Sequence, residues 1–557
     1  MKHLVFILFS LTFLYSCKSS IYKGTRNLNN NIFTDWYKND FRRDNIPGIS
    51  LNKVTSKLKS NNNTIVVAVL DTQIDADHED LKSALWINKK EIPDNNIDDD
   101  HNGYVDDVNG WNFLGTKSGN YIVWANFEFI RIIREHDSIF KNKKKEEIDI
   151  AYLDKFDDYQ KALIYKERFF QYYLNKRKSE DYNISVYHIA KDTLRYFFPK
   201  ENYTLKQLDS LYRKNKINNK TLIERRDSND RDLAALLDSF MTNLEADRNT
   251  FEDVIDYKEQ MDSILNKNCN LEYNERKMVE YNPNVLVKGQ GNNKINAKIR
   301  GIRIFSDHST KVSSIIAADR KNNKGIEGFS DSIKIMPLSI SPSGDEHDHD
   351  IAMAIRYAVD NGAKIINMSF TKEFSLRSEW VAEALQYAEK HNVLVVHIAG
   401  NDRFNIDNNP IYPNDYLYDG QSEVCSNFIN VGSINKNYGE KMISSFSNYG
   451  KNNVDLFAPG EEIYTAIPDN QYGFDSGTSL AAPMVSGTAA LIWLYYPKLT
   501  VQEVKQIILE SGTSYDIEVI VPGTKDKKVK FSELSKTGKV LNVYNAMQMA
   551  KKMSERK

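Results

Sequence analysis

Three short runs of the chain are almost wholly apolar and rich in β-branched residues: TIVVAVLD (64–71), AKIINMSF (363–370) and NVLVVHIAGN (392–401). Runs of this length without polar alternation predict strands buried on both faces. The segments DIAMAIRYAVDNG (350–362) and WVAEALQYAEKHN (380–392) carry apolar residues at three- and four-residue intervals, which predicts an amphipathic helix before the second and third strands. Strand, helix and strand at this spacing predict right-handed βαβ units and a parallel sheet. In such sheets the chemistry lies at the carboxyl ends of the strands, where Asp71 and Asn401 stand.

A second texture fills residues 113–300, where Lys, Glu, Tyr and Asn dominate. Leu153, Phe156, Tyr159, Leu163, Phe170 and Tyr173 recur at helical spacing, as do Leu233, Leu237, Phe240, Leu244, Phe251, Ile255, Met261 and Leu265. This predicts a mainly helical insertion, for which a long helical hairpin is one arrangement. Its stripes are expected to bury against each other and the main domain; a partner for it is unknown. Residues 17–60 are polar and are expected to form a tether, and 551–557 a short C-terminal tail.

Length and charge narrow the classes. A chain of 557 residues holds more than one ordinary domain, and a net charge of −2 argues against nucleic-acid binding. No apolar run long enough to span a bilayer follows the N-terminus. That terminus, MKHLVFILFSLTFLYSC, has the lysine and apolar core of a signal peptide over 1–16. LYSC resembles a bacterial lipobox, though Tyr15 departs from it. The resemblance implies lipidation of Cys17, membrane anchoring, and an exported protein of the bacterial cell envelope. Cys269 and Cys425, far apart, are expected to stay unpaired.

The stretch FDSGTSLAAPMVSG (474–487) presents one hydroxyl, Ser479, after a glycine turn and before a run of small residues. A serine is a weak nucleophile unless a base, an orienting carboxylate and oxyanion donors are near. His308 lies in SDHSTKVSSIIAAD (306–319), which reads as a helix start capped by Ser306 or Asp307. Ser479 is expected to open a helix whose first turn accommodates Pro483.

AVLDTQID, DHSTKVSSIIAAD, INMSF, HIAGND and SGTSLAAPMVSG, in this order, resemble the subtilisin-like serine protease family (subtilases, peptidase family S8) over 61–112 and 301–550. The resemblance implies an α/β, three-layer subtilisin-like fold: a central mostly parallel sheet flanked by helices, plus the helical insertion. It also implies a serine endopeptidase acting on protein or peptide through an acyl-enzyme. Ser479 would attack, His308 would shuttle the proton, and Asp71 would orient the ring. The Asn401 amide and the Ser479 N–H would hold the oxyanion. Ser341, Pro342, Ser343 and Gly344 resemble the edge that pairs with extended substrate, and Ser369, Phe370, Thr371 and Gly400 the opposite side and the P1 pocket. Tyr412–Pro413 stands where a cis proline is common. Catalysis would need no cofactor.

The chain also departs from the family. The histidine motif reads His308-Ser309-Thr310-Lys311-Val312-Ser313-Ser314, and Lys311 is expected to lower the histidine pKa. Thr371 and Gln73 stand where glycine is common, and no inhibitory prodomain is visible. The alternative is a catalytically weakened subtilase-fold scaffold or binding lipoprotein that uses the insertion for partner contact; a lipase is disfavoured by the acid–histidine–serine order. Asp98, Asp100, Asn102, Tyr104 and Asp106 resemble a structural calcium loop. DEHDHD (345–350) is expected to be an exposed loop capping the next helix.

Overall fold

Along the strand Ile65–Asp71 the side chains part by alternation. Val67 and Val69 join one buried cluster, and Ala68 and Leu70 another on the opposite face. This computed structural model describes residues 21–22, 34–55, 63–116, 118–246, 248–279, 281–296, 304–416 and 422–556. The signal-like segment, Cys17 and the lipobox lie outside the described residues.

Among the described residues the central sheet has nine strands. From one edge they run Trp111–Asn112, Ile333–Ser339, Ile65–Asp71, Ile365–Met368, Leu394–Ile398, Phe428–Ile434, Leu456–Pro459, Lys539–Val540 and Thr513–Ser514. Neighbours pair in parallel except the last two, which are antiparallel. Ile65–Asp71 sits at the switch point, because the chain goes to one side of it for Ile333–Ser339 and to the other for Ile365–Met368. Helices Ile304–Ala317 and Thr478–Tyr495 pack on the Val67/Val69 face; helices Asp348–Asp360 and Ser378–Lys390 pack on the Ala68/Leu70 face. The three-layer α/β expectation is met.

The chain forms two compact units, Met1–Val123 with Arg276–Lys557, and Trp124–Glu275. The second unit is narrower than the expected insertion of 113–300. Residues flanking it are held in the first unit by specific bonds: Asn112 and Asn292 exchange backbone hydrogen bonds (2.8 and 3.0 Å), and Ser343 N–H donates to Val123 O at 2.8 Å. The second unit is helical, with a 45-residue helix, Leu153–Phe197, and shorter helices Glu128–Phe140, Leu205–Asn215, Leu222–Asp227, Leu233–Glu245 and Phe251–Ser263. Thr204, Thr221 and Thr250 start three of these with reciprocal capping boxes. Phe156, Tyr159 and Tyr173 are buried as the stripe predicts, but Leu163 and Phe170 are each 36% exposed, and Phe169 is buried beside them.

Three further expectations are corrected. Residues 34–55 are no tether: Trp36, Tyr37, Ile49, Leu51 and Val54 are buried in the main core. The Trp36 indole donates to Glu462 O at 3.1 Å, and Ile49 O accepts from Val543 N–H at 2.8 Å. The Asn- and Lys-rich average hid a few large anchors. At the other end the helix Val543–Ser554 runs past Ala550, so most of the expected tail is ordered. DEHDHD does cap its helix, but four of its six residues are buried: Asp348 pairs with Lys372 at 2.6 Å, and Arg276 forks onto Asp350. Those cations come from distant segments, which is why the acids read as solvated.

Candidate active site

Asp71 ends its strand with a buried carboxylate, and the next residue, Thr72, donates its N–H to Asp71 Oδ1 at 2.7 Å. The histidine helix spans Ile304–Ala317, so His308 lies inside its second turn rather than at the capped start expected from sequence. Two hydroxyls anchor the helix beside the acid: Ser309 N–H donates to Thr72 Oγ1 at 3.1 Å, and Asp75 N–H donates to Thr310 Oγ1 at 2.9 Å. These bonds aim the ring. His308 Nδ1–H donates to Asp71 Oδ1 at 2.8 Å and lies 2.9 Å from Oδ2. A carboxylate only accepts, so the neutral ring keeps its proton on Nδ1 and offers Nε2 as the base.

Burial works against a charged His308, yet its pKa is raised. The charge of Asp71 and the bond to it outweigh burial, and Asp307 adds in the same sense. This corrects the expectation from Lys311. That cation does pull the value down, but it is spent on Asp307 and on Asp475, the latter at 2.7 Å.

Ser479 sits in the first turn of the helix Thr478–Tyr495, capped by Gly477. Pro483 falls in the second turn, not the first, and its missing N–H leaves the Ser479 carbonyl without a helical donor. The Ser369 hydroxyl supplies the bond at 3.0 Å, and the Ser479 hydroxyl in turn donates to Ser369 O at 3.1 Å. Among the described residues no hydrogen bond joins Ser479 Oγ to His308.

Asn401 follows the strand Leu394–Ile398. Its Oδ1 accepts from Thr478 N–H and Thr478 Oγ1, each at 2.9 Å, which turns Nδ2 the other way. A Cβ built on Gly477 would stand 3.7 Å from both Asn401 Nδ2 and Ser479 N, and 3.8 Å from Ser479 Oγ. The bare glycine therefore leaves open the space that two donors and a nucleophile share. Gly400 has φ +94°, and a Cβ there would meet Asn448 Nδ2 at 2.5 Å. Asn448 Nδ2 donates to Ala399 O at 2.8 Å, and its Oδ1 accepts from Asp402 N–H at 2.8 Å. This brace for the Asn401 loop was not legible in SNYG.

The expected substrate edge begins at the acid, because Ile340 N–H and Ser341 N–H both donate to Asp71 O (2.9 and 3.1 Å). Ser341, Pro342, Ser343 and Gly344 are half-buried, and the Ser343 N–H is already used by Val123. Ser369 and Phe370 are buried and Thr371 is half-buried; Lys372 and Tyr412 then exchange backbone bonds at 2.9 and 2.8 Å, ahead of a cis Tyr412–Pro413 bond.

A family model described as the subtilase family (Peptidase_S8) matches residues 62–534. The chain belongs to the subtilase family. This subtilase is 33% identical over 220 residues to a cell wall-associated protease of Bacillus subtilis (strain 168), covering 39% of the chain and 22% of that relative. It is 35% identical over 189 residues to a thermophilic serine proteinase of Bacillus sp. (strain AK1), covering 34% and 43%. It is 31% identical over 209 residues to subtilisin DY of Bacillus licheniformis, covering 37% and 70%. The match thus spans less than half the length of the first two relatives.

At the expected metal loop of the subtilase, carboxylate oxygens of Asp98 and Asp100 lie within 4.8 Å of each other and of Glu91. Both Glu91 oxygens accept backbone bonds from the loop, from Asp100 N–H and Asp106 N–H, each at 3.1 Å. Asp106 accepts from Asn95 N–H and Asn96 N–H (3.2 and 2.9 Å), Asn102 Oδ1 accepts from Tyr104 N–H at 2.8 Å, and the Tyr104 ring is buried against Trp111. Three converging carboxylates are the hard oxygen donors that calcium takes, so Glu91 joins Asp98 and Asp100 in a set that fits the ion. Cys269 and Cys425 are both buried, and no disulfide joins them.

Proposed function

We propose that this subtilase is a serine endopeptidase that hydrolyses peptide bonds through Asp71, His308 and Ser479. The observation that carries the reading is the Nδ1 bond from His308 to the buried Asp71, with Ser479 at a helix N-terminus beside the Asn401 amide. The Ser479 hydroxyl leaves Ser369 O by rotation about its Cα–Cβ bond and passes its proton to His308 Nε2 as Oγ attacks the scissile carbonyl. The carbonyl oxygen develops its charge beside Asn401 Nδ2 and Ser479 N–H. His308 then protonates the leaving amine, and water releases the acyl group by the same exchange. Substrate lies extended between Ser341–Gly344 and Ser369–Thr371.

The N-terminal pattern supports export with a lipid anchor on Cys17, and Glu91, Asp98 and Asp100 support a structural calcium ion. A second reading, a catalytically weak scaffold, draws on one observation: the nucleophile is bonded to Ser369 and not to His308. Labelling with a fluorophosphonate separates the two. Modification of Ser479, absent in Ser479→Ala, together with cleavage of a peptide library, is the outcome expected. A folded, calcium-loaded protein that takes no label sinks the protease reading.

A further inference from the structure

Lys311 is one turn beyond His308, and its side chain is only 6% exposed. A lysine is rarely taken out of water to this extent unless its charge is answered. Two carboxylates meet it, one of them, Asp475, with its pKa pushed up to about 7 by burial. Asp307, one turn back on the same helix, pairs with Nζ, and Asp475 Oδ2 lies 2.7 Å away. Asp475 closes the strand Gln471–Asp475 and is four residues before Ser479. Its own Oδ1 accepts from Ser476 N–H at 2.6 Å, and the Gly477 N–H that follows donates to Gly460 O at 2.7 Å. A continuous set of bonds therefore runs from the histidine helix, through Lys311 and Asp475, into the turn that presents the nucleophile.

The rest of the His308 surroundings is fixed by other means. Asp71 faces the ring from the central strand, and Thr72 holds the backbone at Ser309. Asp307 and Lys311 flank the ring on its own helix with opposite charge, and Asp475 is the group on the neighbouring strand that meets Lys311. The bonds from Thr72 and Thr310 tie the histidine helix to the acid's loop, but not to the serine's. The ion pair across to Asp475 makes that second connection beside the ring; farther along the helix, Ser314 Oγ accepts from Ala466 N–H at 3.1 Å on the strand Ile463–Ile467, which pairs with Gln471–Asp475.

We infer that Lys311 is a positioning residue that acts through His308: bridged to Asp475, it holds the histidine helix in register with the Ser476–Gly477 turn. It also trims the negative field that Asp71 and Asp307 impose on the ring, so that the base stays neutral over a wider pH range. The inference rests on the protease reading for its kinetic consequence, but the electrostatic coupling exists whether or not the chain cleaves peptides.

The test uses Lys311→Met, Asp307→Asn and Asp475→Asn in the full chain, with thermal unfolding to establish that each is folded. Two quantities are read: kcat and KM on a peptide substrate across pH, and the His308 ring titration by NMR. The titration is done in a Ser479→Ala background, with assignment by His308→Ala. In Lys311→Met, kcat falls on the order of tenfold to a hundredfold, as for a small misplacement of reacting groups. KM stays within about threefold, since the substrate strands are untouched. The His308 titration moves to higher pH in Lys311→Met, and to lower pH in Asp307→Asn. It also moves to lower pH in Asp475→Asn, where Lys311 has lost a counter-charge, and kcat falls with it. Should Lys311→Met fail to fold, Lys311→Gln, equally uncharged, takes its place and keeps the opposite sign to the aspartate variants. A loss of kcat with an unmoved titration makes Lys311 mere structural support and overturns the inference; so does a shift of the lysine variant in the same direction as the aspartate variants. An inactive wild type whose His308 nevertheless shows the signed shifts counts against the protease reading and not against the coupling.

Discussion

Pro483 decides what the Ser479 carbonyl does. With no N–H to offer, it leaves that oxygen to the Ser369 hydroxyl, and this draws the Ser479 backbone onto the end of the neighbouring strand. At Asn401 the same economy of partners holds. Thr478 takes Oδ1 twice, so Nδ2 is the end of the amide turned away from it. Asn401→Ala is therefore expected to lower kcat about a hundred- to a thousandfold, the loss typical when one oxyanion donor is removed, with KM little changed. Steady-state kinetics on a peptide substrate check it; a loss confined to KM would move Asn401 out of the oxyanion role.

The strand Leu394–Ile398 carries a liability at His397. The ring is fully buried between Phe370 and Phe428, with centroids at 6.3 and 5.4 Å, and burial pushes its pKa down from 6.5 to about 3. The unfolded chain takes up a proton as pH falls through 6.5, and the folded chain does so only near 3. Across that window the unfolded state binds more protons, so stability falls as pH falls, by up to about 1.4 kcal/mol per pH unit from this one group. Thermal melts between pH 6.5 and 4 should show a steeper loss of Tm in the wild type than in His397→Leu. Equal slopes would mean that the ring is not held neutral. The N-terminal arm is the other element whose role was hidden. Ser50 Oγ accepts from Asn542 Nδ2 at 3.1 Å, so residues 34–55 are tied to the residue that caps the helix Val543–Ser554.

Across the whole molecule, one unit carries the sheet and every candidate catalytic group, and the other is a helical body with its own core around Val186, Leu208, Leu237 and Val254. The acidic turn belongs to the first unit. If Glu91, Asp98 and Asp100 hold calcium, binding to the native state stabilises it, and chelation lowers Tm by about 5 °C or more, reversed by added calcium. Glu91→Gln should abolish most of that response. Differential scanning calorimetry reads both, and a melting curve indifferent to chelator removes the ion.

The buried strands, the helices between them and the motif around Ser479 were legible in the residues alone. Local periodicity and turn chemistry act over a few positions and are written in consecutive letters. The placing of Asp71 and Asn401 at strand ends was legible for the same reason. Other features depended on partners beyond the few positions a local pattern spans: the burial of Asp348 and Asp350 by Lys372 and Arg276, the neutralised Lys311, the arm around Trp36, and Glu91 turning in beside Asp98. A charge reads as solvated until its counter-charge is found. Only the tertiary structure brings that partner within hydrogen-bonding distance, so it alone decided which polar residues are surface and which are part of the site.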